Sequence, residues 1–262
     1  MATKEKSTAL ALTPEAGSAL PVKFNPADDA GAGLPDRRSD PDVYVIPYLV
    51  LLQDLSPQVR KAEATYVEGA EAGVFFNTAT RQPLGKEVYV VPCGFQRRYG
   101  HLSSTAQDAV KLGILTPHDP LVATGVQQRG LLVLPDGTAL QDWRYHFLLL
   151  LRKDAEPRGC VLKLKSTAIS ISRAWMEAMA NQERTAPDGK RYILPVYGAA
   201  YKLTSIVQRK DKNSWYGIQP EFFRNLDTGS EKDAAIYQAA KRFSESIQSG
   251  TAEVATDDGG EG

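Results

Sequence analysis

The feature that most narrows the fold is the alternation Trp143-Arg144-Tyr145-His146-Phe147, which passes without a break into the apolar run 147–151. A two-residue period puts Trp143, Tyr145 and Phe147 on one face of a strand and Arg144 and His146 on the other. Further β-branched and aromatic stretches fall at 43–52, 74–77, 86–91, 130–134, 160–164, 192–197 and 201–207. Turn residues punctuate them. Pro135-Asp136-Gly137 reads as a hairpin turn, because Pro presets φ and Gly accepts φ > 0. Residues 81–85 read as a turn before the strand at Lys86, and 210–214 turn the chain into Trp215-Tyr216-Gly217-Ile218.

Two segments change period. After Ser166-Thr167, either of which suits an N-cap, Ile169, Ala174, Trp175, Ala178 and Met179 follow close to a 3.6-residue spacing. Residues 230–247 form a second such segment. Ser230 is its N-cap, Asp233 approximates a capping box, and Ile236, Ala240, Phe243 and Ile247 share a face. The pattern predicts a mainly β (α+β) chain: an OB-like small β-barrel with a helix between strands and a C-terminal helix.

Charge divides the chain into three. Of 31 basic and 31 acidic residues, 5 and 7 fall in residues 1–42, and 0 and 4 in residues 251–262, which leaves 26 basic against 20 acidic between. Residues 1–42, rich in Ala, Gly, Pro and Ser without a sustained period, are expected to be a flexible arm. Residues 43–250 are expected to form one OB-like nucleic-acid-binding domain, long enough to bury its own core. Residues 251–262, with Glu253, Asp257, Asp258 and Glu261, are expected to be a disordered acidic tail.

Signatures of catalysis are mostly absent. No phosphate-binding loop, nucleophile elbow or His-Glu-x-x-His occurs, and Gly31-Ala32-Gly33 lacks a following strand and helix. His101, His118 and His146 have no metal-ligand spacing, so no metal or cofactor is expected. In residues 211–221 Trp215 stands where a calcium loop needs an oxygen ligand. A nuclease centre built on Asp136, Asp154 and Glu156 suffers because Glu156 precedes Pro157 in an apparent turn. Cys93 and Cys160 read as reduced structural thiols in buried strands. The apolar runs are too short to cross a bilayer and the N-terminus lacks a signal-peptide pattern, so a soluble, cytoplasmic protein is expected.

Cations interleaved with rings recur instead. A single nucleic-acid strand is held by planar side chains that stack on bases and cations that meet phosphates, without base-specific contacts. The candidates for stacking are Tyr99, Trp143, Tyr145, Tyr201 and Trp215, and for phosphate Arg97, Arg98, Arg144, Lys202, Lys210 and Lys212. Trp143, Tyr145 and Phe147 also fit the core face of a central strand. Arg97, Arg98, Tyr99, Lys210, Lys212 and Trp215, read as lying at or near turns, are the stronger candidates for contact.

The order Pro47-Tyr48-Leu49, Gly73-Val74-Phe75-Phe76-Asn77-Thr78, Leu84-Gly85-Lys86-Glu87-Val88, Ser166-Thr167, Pro195-Val196-Tyr197 and Tyr201-Lys202-Leu203-Thr204, ahead of the acidic tail, resembles single-stranded DNA-binding proteins of tailed bacteriophages. The resemblance covers about residues 43–262. It implies a non-catalytic factor of DNA replication or recombination whose tail recruits partner proteins or competes with DNA. The terminal Gly260-Glu261-Gly262 departs from it by lacking an aromatic residue. A phage structural or assembly protein, whose aromatic surfaces form subunit interfaces, is the alternative, and self-association is open under either.

Overall fold

The computed structural model describes residues 45–250 and Val254, apart from residues 107, 154, 187 and 228. The arm at 1–42 and the tail acids Glu253, Asp257, Asp258 and Glu261 lie outside the described residues, as does Asp154.

The strands are β1 (Leu49–Leu51), β2 (Phe75–Asn77), β3 (Gln82–Gly85), β4 (Glu87–Leu102) and β5 (Lys111–Leu115). Helix α1 (Pro120–Thr124) precedes β6 (Val126–Gln128), β7 (Leu131–Val133), β8 (Ala139–Arg152) and β9 (Ala155–Lys165). Helix α2 (Ile169–Ala180) is followed by β10 (Glu183–Thr185), β11 (Arg191–Ile193), β12 (Ala199–Lys210) and β13 (Asn213–Asn225), and helix α3 (Glu231–Ser249) comes last. The chain is mainly β with three α-helices among the described residues; the periodicities predict α2 and α3, while α1 is an addition to them.

The frame is the long antiparallel pair β4–β8, in register from Tyr89↔Leu151 to Leu102↔Ala139 with a bulge between Pro92 and Gly94. On the outer side of β8 lie β9, from Trp143↔Lys165 to Arg152↔Ala155, and the shorter β7, which β6 extends. Beside one end of β4 lies β12, with β13 beyond it, and beside the other end lies β5. Among the described residues β13 pairs with β12 only and β6 with β7 only, so the sheet is curled and open rather than a closed OB barrel. Closure is not needed to bury the sheet, because each face has its own cover. Val90, Leu148, Leu150, Leu162 and Leu203 pack under Trp175 and Met179 of α2 and against Leu49 and Phe75 of the small β1–β2–β3 sheet. Val91, Phe147, Leu149 and Val161 pack under Ile236, Ala240 and Ile247 of α3.

Local chemistry sets both helices. Ser230 Oγ accepts from Asp233 N–H as the N-cap of α3. The buried Asp233 carboxylate does not close a capping box: it binds both terminal nitrogens of the Arg224 guanidinium and the Asp227 N–H. This pairing holds the Asp233 carboxyl below and the Arg224 guanidinium above their ordinary pKa ranges. The expected side-chain cap on α2 is not made. Ser166 has a left-handed φ of 50°, and a 3-10 turn, Ser166–Ala168, leads into α2 with Ala168 at the cap position.

Residues 82–85, read from the sequence as part of a turn, form β3. Pro83 is tolerated there because β3 is the edge of its sheet. At the opposite border, Ile46 forms a parallel bridge with Val254, and Tyr48 one with Val161. Val254 is half-buried against the core beneath α3.

Candidate nucleic-acid interface

Beyond the bulge, the register of β4, β8 and β9 lays cations and rings in rows. On the face that carries α3, one row is Arg98, Trp143 and Lys165, and the next is Gln96, Tyr145 and Lys163. On the opposite face Arg97 sits directly across from Arg144, which neighbours Leu164. Arg97, Arg98, Arg144, Lys163 and Lys165 thus share this end of the sheet with Asp142.

Like charges directly opposite in a sheet repel, and Asp142 resolves the conflict. Its Oδ2 accepts from Nη2 of both Arg97 and Arg144 at 2.8 Å. The Asp142 and Arg144 side chains are 14% and 12% exposed, and Arg97 is 40% exposed. Rings complete the setting: Arg97 lies 4.9 Å over Tyr99 and Arg144 lies 6.0 Å over Phe95. Arg98 donates to the Arg97 carbonyl and to Gln96 Oε1. On the other face Lys163 Nζ stands 4.4 Å over the Trp143 ring and 5.7 Å over Tyr48. Asp142 escaped the sequence analysis, although the two-residue period that places Trp143 and Tyr145 together also places it with Arg144.

The proposed stacking residues are mostly in the core. Tyr99, Trp143, Tyr145 and Tyr201 are all buried. Trp143 donates its indole N–H to Gln141 Oε1 and leaves no room for a Cβ at Gly100, whose added Cβ would lie 2.0 Å from Trp143 Cζ2. Tyr145 meets Tyr48 edge-on beneath α3. Tyr201 accepts from Gln182 Nε2 at 2.7 Å, and burial raises its pKa. Arg97, Arg98 and Tyr99 do not lie near a turn: β4 runs 16 residues and carries them in its interior.

The other expected contacts sit on the β12–β13 ribbon. Lys202 bridges Glu221 and Glu87, which raise its pKa and neutralise it locally. Lys210 and Lys212 are exposed at the ribbon's tip, where Asp211 takes a left-handed φ of 54°. Trp215 is half-buried there and donates to Gln208 Oε1 at 2.8 Å. The structure thus gathers Arg97, Arg98, Trp143, Arg144 and Tyr145 at one end of the central pair and Lys210, Lys212 and Trp215 at the ribbon tip. Lys202 and Tyr201 join neither group, facing the Glu87 and Glu221 carboxylates and the core respectively.

The remaining reactive groups have structural partners. His146 is buried, stacked on Trp175 at 4.9 Å and hydrogen-bonded to Ser172 Oγ at 2.8 Å. His101 Nε2 lies 2.9 Å from Thr138 Oγ1. Asp119 caps α1, and Asp136 clasps Thr138 through its N–H and hydroxyl. Glu156 lies in β9 rather than in a turn, and its backbone carbonyl accepts from the Arg152 guanidinium. Cys93 and Cys160 are free and buried; burial pushes the Cys160 thiol up to about 12 and Cys93 higher still, so neither is a ready nucleophile. Among the described residues no three His, Cys, Asp or Glu side chains gather as a metal site, and no helix is long and apolar enough to cross a membrane.

A family model described as Pam3 phage gp34-like protein matches residues 15–253, which is most of the chain. No curated protein and no solved structure matches it.

Proposed function

We propose a function from one premise: the chain belongs to the Pam3 phage gp34-like protein family and is a bacteriophage protein. It binds single-stranded DNA without catalysis, in phage DNA replication or recombination in the host cytoplasm, and its acidic tail serves partner recruitment or autoinhibition. The observation that carries this reading is the gathering of Arg97, Arg98 and Arg144 on the paired strands β4 and β8, where Arg97 and Arg144 share the Asp142 carboxylate. Cations fixed on a rigid sheet favour a polyanion without reading its sequence. With Tyr99, Trp143, Tyr145 and Tyr201 in the core, phosphate contact carries more of the binding than the sequence implied, and the half-buried rings left for stacking are Phe95, beside Arg144, and Trp215, with Lys210 and Lys212 at the ribbon tip. Labelled oligo(dT) titrated at two salt concentrations, with duplex as competitor, tests it. Affinity that falls steeply with salt and prefers the single strand is expected; no binding at low salt overturns the proposal.

One observation favours an assembly role. Val110, Leu112, Ile114, Leu121 and Val126 are exposed together in sequence, on or beside strands β5 and β6, each of which pairs along one edge among the described residues. Open apolar edges are places for strands to pair between copies. Sedimentation of Ile114→Lys beside the unaltered protein decides: a larger species that the charge dissolves supports assembly, and a monomer in both removes it.

A further inference from the structure

We propose that the groove between α2 and the β12–β13 ribbon accepts one unstacked nucleobase of a bound single strand. The inference rests on the nucleic-acid reading above and adds a site that the basic rows do not include. The groove encloses about 320 Å³, at the small end of ligand clefts. Its walls include Trp175 and Ala178 from α2, Gln182 just beyond it, Tyr201 and Gln208 from β12, and Phe222 from β13. Among the described residues no Asp, Glu, Lys, Arg or His lines it. A phosphate or a cation finds no complement in such walls, whereas a flat neutral ring does.

Three features point to a base rather than an aliphatic side chain. Phe222 is 50% exposed, although Tyr201 braces it edge-on at 6.0 Å, so a fixed ring face is left to solvent at the groove. Next, Gln182 gives its Nε2 to the Tyr201 hydroxyl and keeps a buried Oε1 without a partner, and buried Trp175 Nε1 also has none. Buried polar atoms of this kind favour a ligand that offers both a donor and an acceptor, as a base edge does and a hydrocarbon does not. Finally, the cations stand at the ends of the groove. Arg184, bonded to Asn225, lies close enough to the Tyr201 hydroxyl to favour its ionised form, and Arg209, Lys210 and Lys212 are exposed beyond Gln208. A neutral floor with positive ends matches a nucleotide whose base is inserted while its flanking phosphates stay at the rim.

The test compares oligo(dT) with an abasic oligomer of equal length and charge, both labelled and followed by anisotropy. Ala178→Trp fills the groove from an exposed helical position. The unaltered protein should favour oligo(dT), and Ala178→Trp should reduce that preference by roughly tenfold, the share of one stacked base, while binding the abasic strand as before. If Ala178→Trp keeps the full preference, the groove assignment falls and the nucleic-acid reading stands. If the unaltered protein binds neither oligomer, both fall. Loss of self-association with unchanged DNA binding would give the groove to a second copy and overturn the assignment. Should the tryptophan lower the melting temperature, Phe222→Ala, at a half-exposed ring, carries the test with the same outcomes.

Discussion

On one side of the bulge at Pro92 and Gly94, β4 and β8 offer Val90, Val91, Leu148, Leu149 and Leu150 to two covers, one under α2 and one under α3. On the other side the same two strands carry Arg97, Arg98, Asp142 and Arg144, where Arg97 and Arg144 share the one Asp142 carboxylate. The apolar half is stabilised by area removed from water, which is large and indifferent to salt. The charged half gains little net stability from its ion pairs, since desolvation offsets attraction. What it gains is orientation: guanidiniums held flat on a sheet are placed for an anion before it arrives. His146, paired with Phe95 and followed by the leucine run, stands at the border.

That border gives the largest expected effect. Burial first, and the neighbouring Arg144 charge second, press the His146 pKa down from 6.5 to about 3. The unfolded chain therefore takes up a proton between pH 6.5 and pH 3 that the folded chain refuses, and stability falls as pH falls through that window. The loss approaches about 5 kcal/mol at its acid end. Urea unfolding from pH 7 to pH 3.5 measures it, and His146→Gln should flatten the slope; an equally steep variant would assign the acid sensitivity to other groups. Within the apolar half, Leu148→Ala at a fully buried position should destabilise by roughly 3 kcal/mol, seen as a lower urea midpoint at both low and high salt.

Across the bulge, Asp142→Asn leaves Arg97 and Arg144 opposed. It should destabilise by about 2 kcal/mol, below the figure for a wholly buried pair because Arg97 is 40% exposed. Unlike the leucine deletion, this loss should shrink as salt is added, and a salt-independent loss would erase the contrast between the halves. Smallest in stability is Arg98→Ala, expected within about 0.5 kcal/mol of the unaltered protein. Its effect belongs to binding: the slope of log affinity for oligo(dT) against log salt should drop by roughly 0.7.

The devices with local chemistry were legible in the sequence. Pro135-Asp136-Gly137 makes its hairpin with Gly137 at φ 86°, Ser230 caps α3, and residues 210–214 turn β12 into β13. The sheet is open where the sequence pattern implies a barrel, and residues 147–151 carry the sign of it. A barrel strand alternates between an inside and an outside, but these five residues are apolar without alternation because β8 is covered on both faces there. Arg97 and Arg98 read as turn residues because nothing in residues 95–99 announces that β4 continues to Leu102. The short elements β5, α1 and β6 depend on tertiary pairing more than on propensity. The site was legible as a composition of cations and rings, while the division of those rings between core and surface required the register.

The Ile46–Val254 bridge makes the choice of cut site matter. A truncation that begins at residue 251, the natural way to ask what the acidic segment does, also removes Val254 and opens the core beside α3. Loss of a competing charge and loss of a packing residue would then be read as one effect. A stop codon placed after Val254 keeps the fastening and still removes Asp257, Asp258 and Glu261, so a change in DNA affinity would report electrostatics alone.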